Sequence, residues 1–218
     1  MSTQDFFTFI NKVIIDFEIE KSNDRNIGEI YTPQPIVDYI VSNIFKLYFK
    51  ECFNFPKYTN SDSFFNQIKK ILFKNDKLKK LFIENLKKIK ILDPASGSGR
   101  FIISTARILH YLWKNLNSGL DDYEIKRNIV QDNIYGIEIE KSAYIITKLR
   151  LISWLFSGHE SKCDLHNSNV KSLNLEEINQ IINKIGIKFN LYNLDFLLEF
   201  ESEKYDIIIG NPPYVENK

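Results

Sequence analysis

Residues Ile89 to Phe101 set the strongest constraint on what this chain can become. Ile89, Ile91 and Leu92 make a short apolar strand with Lys90 alternating outward, and Asp93 ends it. Pro94-Ala95-Ser96-Gly97-Ser98-Gly99 is then a small-residue turn that opens an amphipathic run from Phe101 to about Leu116. A strand that passes through a glycine turn into a helix is the first half of a βαβ unit. Glycine reaches dihedrals closed to other residues and lets a ligand approach the main chain. The unpaired N–H groups of the helix start are candidate donors to such a ligand. A plain βα turn uses the same residue types, so this stretch admits a nucleotide-like ligand without requiring one.

The rest of the chain repeats the pattern. Asn133 to Glu140, Ile187 to Leu191 and Tyr205 to Gly210 read as further strands, separated by helical periodicity at Asp121–Val130, Ser142–Phe156 and Leu175–Ile185. Such alternation predicts an α/β fold, a mostly parallel sheet with helices on both faces. The three isoleucines 207–209 suit a central strand buried on both sides. Residues 1–88 form a helical N-terminal region, with amphipathic runs at Phe6–Ile19, Ile36–Phe49, Phe64–Phe73 and Lys77–Lys88, and residues 89–218 form the α/β domain. Thr32 is expected to cap the second of these helices, with Pro33 at its first position, where a missing N–H costs nothing. Ligands of open α/β sheets bind beyond the carboxyl ends of the strands. Four ends here are marked by Asp93, Glu138, Asp195 and Asn211, and all four would face one crevice.

Composition narrows the partners. Lys+Arg 29 against Asp+Glu 28 gives no global attraction to phosphate, so nucleic-acid binding has to come from a local site. The lysine-rich run from Lys69 to Lys88 reads first as a solvated helix face. Cys52 and Cys163 form no Cys-x-x-Cys pair, which fits free thiols in a reducing cytoplasm. Cys163, His166 and His159 are too sparse for a four-ligand metal site, and no metal is expected. The N-terminus lacks the basic start and apolar run of a signal peptide, and no stretch of ~20 apolar residues suggests a membrane span.

Taken in order, Tyr31-Thr32-Pro33, Asp93-Pro-Ala-Ser-Gly-Ser-Gly-Arg-Phe101, Gly136-Ile-Glu138, Asp195-Phe196 and Asn211-Pro-Pro-Tyr214 give the chain a clear likeness. It resembles the adenine-specific DNA methyltransferases that use S-adenosylmethionine, especially those of type I and type IIG restriction–modification systems. The resemblance implies a Rossmann-like methyltransferase fold. It implies that the Asn211 side-chain oxygen and the Pro212 carbonyl accept hydrogen bonds from the adenine amino group, that Pro213 stiffens the turn, and that Tyr214 stacks on a base flipped out of double-stranded DNA. For S-adenosylmethionine it implies Gly97, Gly99 and Ala95 against the methionine portion and Asp93 at its charged amino end. Tyr31, Thr32 and Pro33 close that side, Glu138 holds the ribose hydroxyls with Glu140 as the alternative, and Asp195 with Phe196 holds the adenine. Arg100 takes no role in this reading.

Two departures bear on it. A nicotinamide fold wants Gly-x-Gly-x-x-Gly, but Ile102 stands at the third place. Glu138 lies further beyond Gly99 than the ~20 residues of a compact unit, and the extra helix at 121–130 accounts for the distance. The family continues past the Asn-Pro-Pro-Tyr strand with further strands and a target-reading region. The expectation is therefore a fragment or half enzyme, with a missing C-terminal half or a specificity subunit as partner. Alone it would bind the cofactor weakly without site-specific methylation. Methylation of protein glutamine side chains and a non-catalytic cofactor-binding remnant are the alternative functions.

Overall fold

The computed structural model describes residues 3–23, 32–55, 64–116, 119–159, 174–200 and 204–212. Tyr31, Pro213, Tyr214, Cys163 and His166 lie outside the described residues. In order, the chain forms α1 (Thr3–Asn23), α2 (Gln34–Phe53), α3 (Phe64–Leu72), α4 (Asp76–Lys88), β1 (Ile91–Asp93), α5 (Arg100–Asn115), α6 (Asp122–Asn128), β2 (Ile134–Ile137), α7 (Lys141–Phe156), α8 (Leu175–Lys184), β3 (Asn190–Tyr192), α9 (Phe196–Glu199) and β4 (Ile207–Ile208). The strands make one parallel sheet in the order β3-β2-β1-β4.

Local chemistry explains where several helices begin. Asn75 accepts from the Leu78 N–H at 3.0 Å to cap α4. Asp121 with Glu124 and Asn174 with Glu177 form capping boxes at α6 and α8. At α2 the structure departs from expectation. The helix starts at Gln34, so the cap position is Pro33, which has no side-chain acceptor, and Thr32 stands one residue outside with its hydroxyl accepting from Asn211 Nδ2. Between α6 and β2 the backbone takes a π-helical turn over Ile129–Asn133, which feeds the helix directly into the strand. Asn133, buried there, donates to the Leu86 and Ile89 carbonyls and so closes the end of α4.

Two apolar clusters hold the layers together. Val37, Val41, Phe45 and Phe49 of α2 join Ile102, Ala106 and Leu109 of α5 against the sheet. Phe6, Ile10, Ile14 and Phe17 of α1 pack with Ile145, Ile146, Leu149 and Ile152 of α7. Gly136 in β2 leaves room for α5, since a Cβ there would stand 2.5 Å from Ile102 Cδ1 and 2.7 Å from Leu191 Cδ2. Gly136→Ala should therefore destabilise the fold by about 1–3 kcal/mol through overpacking, read as a lower urea midpoint with an unchanged slope.

The β4 segment differs from the expected central strand. Ile207 and Ile209 are buried, but Ile208 is 61% exposed on the opposite face, and β4 stands at one edge of the described sheet. Helical cover, expected on both faces, leaves this one open at Ile208.

Candidate cofactor and base-binding site

The turn after β1 is held almost atom by atom. Ala95 N–H donates to Asp93 Oδ1 at 3.1 Å, Ser96 N–H to the Ile137 carbonyl at 2.9 Å, Gly97 N–H to Glu138 Oε2 at 2.6 Å, and Gly99 N–H to the Ser96 carbonyl at 2.8 Å. From α7, Thr147 Oγ1 donates to the Gly97 carbonyl and Arg150 Nε to the Ser98 carbonyl. Gly99 needs its glycine twice over: its φ is +81°, and a Cβ would meet Thr147 Cγ2 at 2.9 Å. Four amides of the turn, at Ala95, Ser96, Gly97 and Gly99, are thus spent inside the protein, ahead of the helix-start N–H groups that the sequence offers as ligand donors.

The carboxyl ends of the strands instead wall a cavity of about 600 Å³. Glu138 and Asp195 supply acids to it, Ala95, Gly97 and Arg100 line the turn side, and Ile139, Phe196 and Leu197 give apolar walls. Leu197 is 87% exposed, and Ile139 beside the same cavity is exposed as well. Glu138 is 8% exposed and doubly anchored, with Oε1 accepting the Glu140 N–H at 2.9 Å. Asp195 caps α9 through the Leu197 N–H at 2.9 Å. Glu140 is not among the cavity walls; it pairs with Lys21 of α1 at 2.7 Å and precedes α7.

Asp93 lies beneath this wall rather than in it. It is 2% exposed, Oδ1 is spent on Ala95, and Oδ2 is buried with no hydrogen-bond partner. A Cβ at Gly210 would sit 2.4 Å from Oδ1, so the glycine before Asn211 is what admits this carboxyl. Burial, with the nearby Glu138 charge adding to it, pushes the Asp93 carboxyl up to about 7 against the opposing pull of the Ala95 N–H.

Thr32, Asn211 and Pro212 complete the cavity on the far side. Asn211 Nδ2 donates to Thr32 Oγ1 at 3.1 Å, and the Thr32 carbonyl accepts from Arg100 NH1 at 2.9 Å. Of the residues read from the sequence, Thr32, Ala95, Gly97, Glu138, Asp195, Phe196, Asn211 and Pro212 meet in one cavity. Asp93, Gly99 and Pro33 stand outside its lining. Glu18 and Arg150 are functional candidates that periodicity could not signal, because their partners lie 82 and 132 residues away. Among the described residues no His, Cys, Asp or Glu group is arranged for a metal ion, and no helix is long and apolar enough to cross a membrane.

A parallel sheet in the order β3-β2-β1-β4, with its strand ends and glycine turn walling one cavity, is a Rossmann-like arrangement, and the family match makes it that of a methyltransferase. The chain belongs to the family described as MmeI, DNA-methyltransferase domain, which matches residues 68–218. It is 33% identical over 164 residues to a Methanocaldococcus jannaschii protein named as a candidate type II restriction enzyme and methyltransferase, covering 69% of this chain and 14% of that protein. It is 31% identical over 140 residues to DNA methyltransferase A of Bacillus subtilis, covering 60% and 15%. The chain thus spans about one seventh of the length of each relative.

Proposed function

We propose that the chain carries the methyl-transfer core of a restriction–modification DNA methyltransferase that methylates the adenine amino group from S-adenosylmethionine. The observation that carries this reading is that Asn211 and Pro212 wall the same cavity as Glu138 and Asp195. An amino-group acceptor and a set of acids suited to a nucleoside share one space. The relatives' names, which concern restriction and DNA methylation, support the DNA context.

S-adenosylmethionine fits the donor set. It has no phosphate, which suits a turn whose amides are already engaged, and its cationic end suits the buried, unpartnered oxygen of Asp93. Glu138, anchored by two amides, would hold the ribose hydroxyls, and its position in the wall favours it over Glu140. Asp195 and Phe196 would take the adenine end, with Ile139 and Leu197 as apolar neighbours. Ala95 and Gly97 would face the methionine portion, with Gly99 shaping the turn and Tyr31, Thr32 and Pro33 closing that side. Asp93 would meet the charged amino end once the turn above it shifts. The donor, when bound, supplies an electrophilic methyl group on a positive sulfonium.

The adenine amino nitrogen is a poor nucleophile because its lone pair is delocalised into the ring. Asn211, with Nδ2 donated to Thr32, keeps Oδ1 for accepting from that amino group, and the Pro212 carbonyl is a second acceptor. Two acceptors on one amino group localise its lone pair, so catalysis is positioning and electrostatics. Pro213 would stiffen this acceptor pair and Tyr214 would stack on the flipped base. DNA is the partner, a specificity subunit or further chain would supply target reading, and the free-thiol chemistry suits the cytoplasm.

The test is mass analysis of nucleosides from DNA incubated with the natural full-length protein and donor. N6-methyladenine is the expected product, and Asn211→Ala should reduce it by at least about 100-fold while leaving cofactor affinity within about threefold. Methylated cytosine, or methylated protein glutamine without methylated DNA, would refute the adenine assignment.

A further inference from the structure

Resting on the cofactor reading above, we infer that Glu18, on the N-terminal helix, is a positioning residue that sets both the cofactor turn and Asn211 through Arg100 and Arg150. Helix α1 lies outside the residues that carry the family match, and Glu18 belongs to no motif. Its delivery is a matter of packing. Ile14, one turn earlier on the same face, is buried against α7, and that seats the Glu18 carboxylate beside Arg150.

The carboxylate then engages three side chains. Oε1 accepts from Ser98 Oγ at 2.8 Å, Arg100 Nε at 2.9 Å and Arg150 NH2 at 2.5 Å, and Oε2 accepts from Arg100 NH2 at 2.8 Å. The Arg100 contact is a two-pronged fork, the geometry in which arginine and carboxylate fit best. Each arginine passes the constraint on. Arg150 Nε holds the Ser98 carbonyl at 2.7 Å, so this residue of the glycine turn is gripped by hydroxyl and carbonyl together. Arg100 NH1 holds the Thr32 carbonyl, and the Thr32 hydroxyl receives Asn211 Nδ2. An unbroken chain therefore runs from Glu18 through Arg100 and Thr32 to Asn211, and Arg100 and Thr32 both wall the cavity.

Charge explains why the acid is needed. Two guanidinium groups meet at one carboxylate: burial lowers the proton affinity of Arg150, Glu18 raises it, and the neighbouring Arg100 and Arg107 charges lower it again, so removing Glu18 would leave like charges facing each other in a partly buried site. Burial pushes the Glu18 carboxyl up, but the Arg100 fork, the Arg150 charge and the Ser98 hydroxyl outweigh it and hold the group below the usual range. It is ionised at neutral pH.

A purely structural tie between α1 and α7 would lower stability and leave binding alone, and the test separates the two. S-adenosylhomocysteine is titrated calorimetrically into the wild-type chain, Glu18→Gln and Arg100→Lys, and amide hydrogen exchange is followed without ligand. Glu18→Gln should raise Kd at least about tenfold, because the charge-assisted bonds that hold Arg100 and Arg150 on the turn weaken together. Exchange should quicken at Gly97–Gly99 while residues 145–152 of α7 stay protected. Arg100→Lys keeps the charge but cannot reach Glu18 and Thr32 together, so it should show the same loss even if the Gln variant folds poorly. Binding within twofold of wild type in folded variants, or exchange that rises evenly along the chain, would overturn the inference. Failure of the wild-type chain to bind would instead overturn the cofactor reading, and the exchange pattern would still decide the role of Glu18.

Discussion

Glu138→Ala is expected to weaken S-adenosylmethionine binding by at least about 100-fold, and Glu140→Ala by no more than about threefold. The first variant loses the carboxylate that would accept the ribose hydroxyls, each such charge-assisted bond being worth about 1.5–3 kcal/mol. It also frees the Gly97 and Glu140 N–H groups, which Glu138 holds at 2.6 and 2.9 Å, so the turn loosens as the ligand contact disappears. Glu140 ends a different arrangement, paired to Lys21 on α1 and absent from the cavity wall. Its removal breaks a partly buried ion pair to Lys21 and a contact with Ser142, which tie α1 to the start of α7 without touching the cavity. Isothermal titration of the two variants side by side reads the contrast, and equal losses in both would refute the assignment of the ribose to Glu138.

Asp93→Asn should produce the opposite pair of effects: a more stable unliganded chain and a weaker grip on the cofactor. The folded carboxyl holds its proton to about pH 7, whereas the unfolded one releases it in the ordinary carboxylate range. The folded state thus binds more protons than the unfolded one between those limits. Its stability falls as pH rises toward 7 and stays low above it. Asparagine keeps the acceptor for Ala95 N–H and removes the buried charge, at the cost of an amide hydrogen without a partner where Oδ2 stood. The net gain should be about 1–3 kcal/mol at pH 8, seen as a rise in Tm of several degrees, and should shrink toward zero at pH 5. Cofactor affinity should fall by about tenfold or more at pH 8, because the cationic end loses its counter-charge. A gain that is the same at both pH values would show that burial of the charge is not the cause.

The sequence made the sheet and its ligand-bearing edge readable because those depend on short-range patterns. Apolar runs ending in Asp93, Glu138 and Asp195, with glycines at 97 and 99, specify strand, turn and helix from neighbours alone, and β1, β2, α5 and α7 formed where the period placed them. What escaped is long-range. Glu18, Arg100 and Arg150 look like ordinary solvated helix charges until the fold brings them to one carboxylate. Thr32 sits where a cap is expected, yet its hydroxyl serves Asn211, a partner 179 residues away. The sequence offers the N–H groups of the helix start as ligand donors, and only the folded backbone shows that the turn amides before them, at Ser96 and Gly97, are satisfied by the Ile137 carbonyl and Glu138. The resemblance puts Glu138 ahead of Glu140 without giving their surroundings, and these are long-range: Glu138 continues the β2 pairing through the Tyr192 carbonyl while Glu140 turns into the start of α7.

The central claim is that the cavity at the strand ends binds S-adenosylmethionine, and amide hydrogen exchange of the chain with and without this molecule tests it most directly. Protection should appear at Ala95–Gly99, Glu138–Ile139 and Asp195–Leu197 together, with a saturable dependence on concentration. No protection at millimolar ligand, or protection confined to residues away from these three segments, would contradict it.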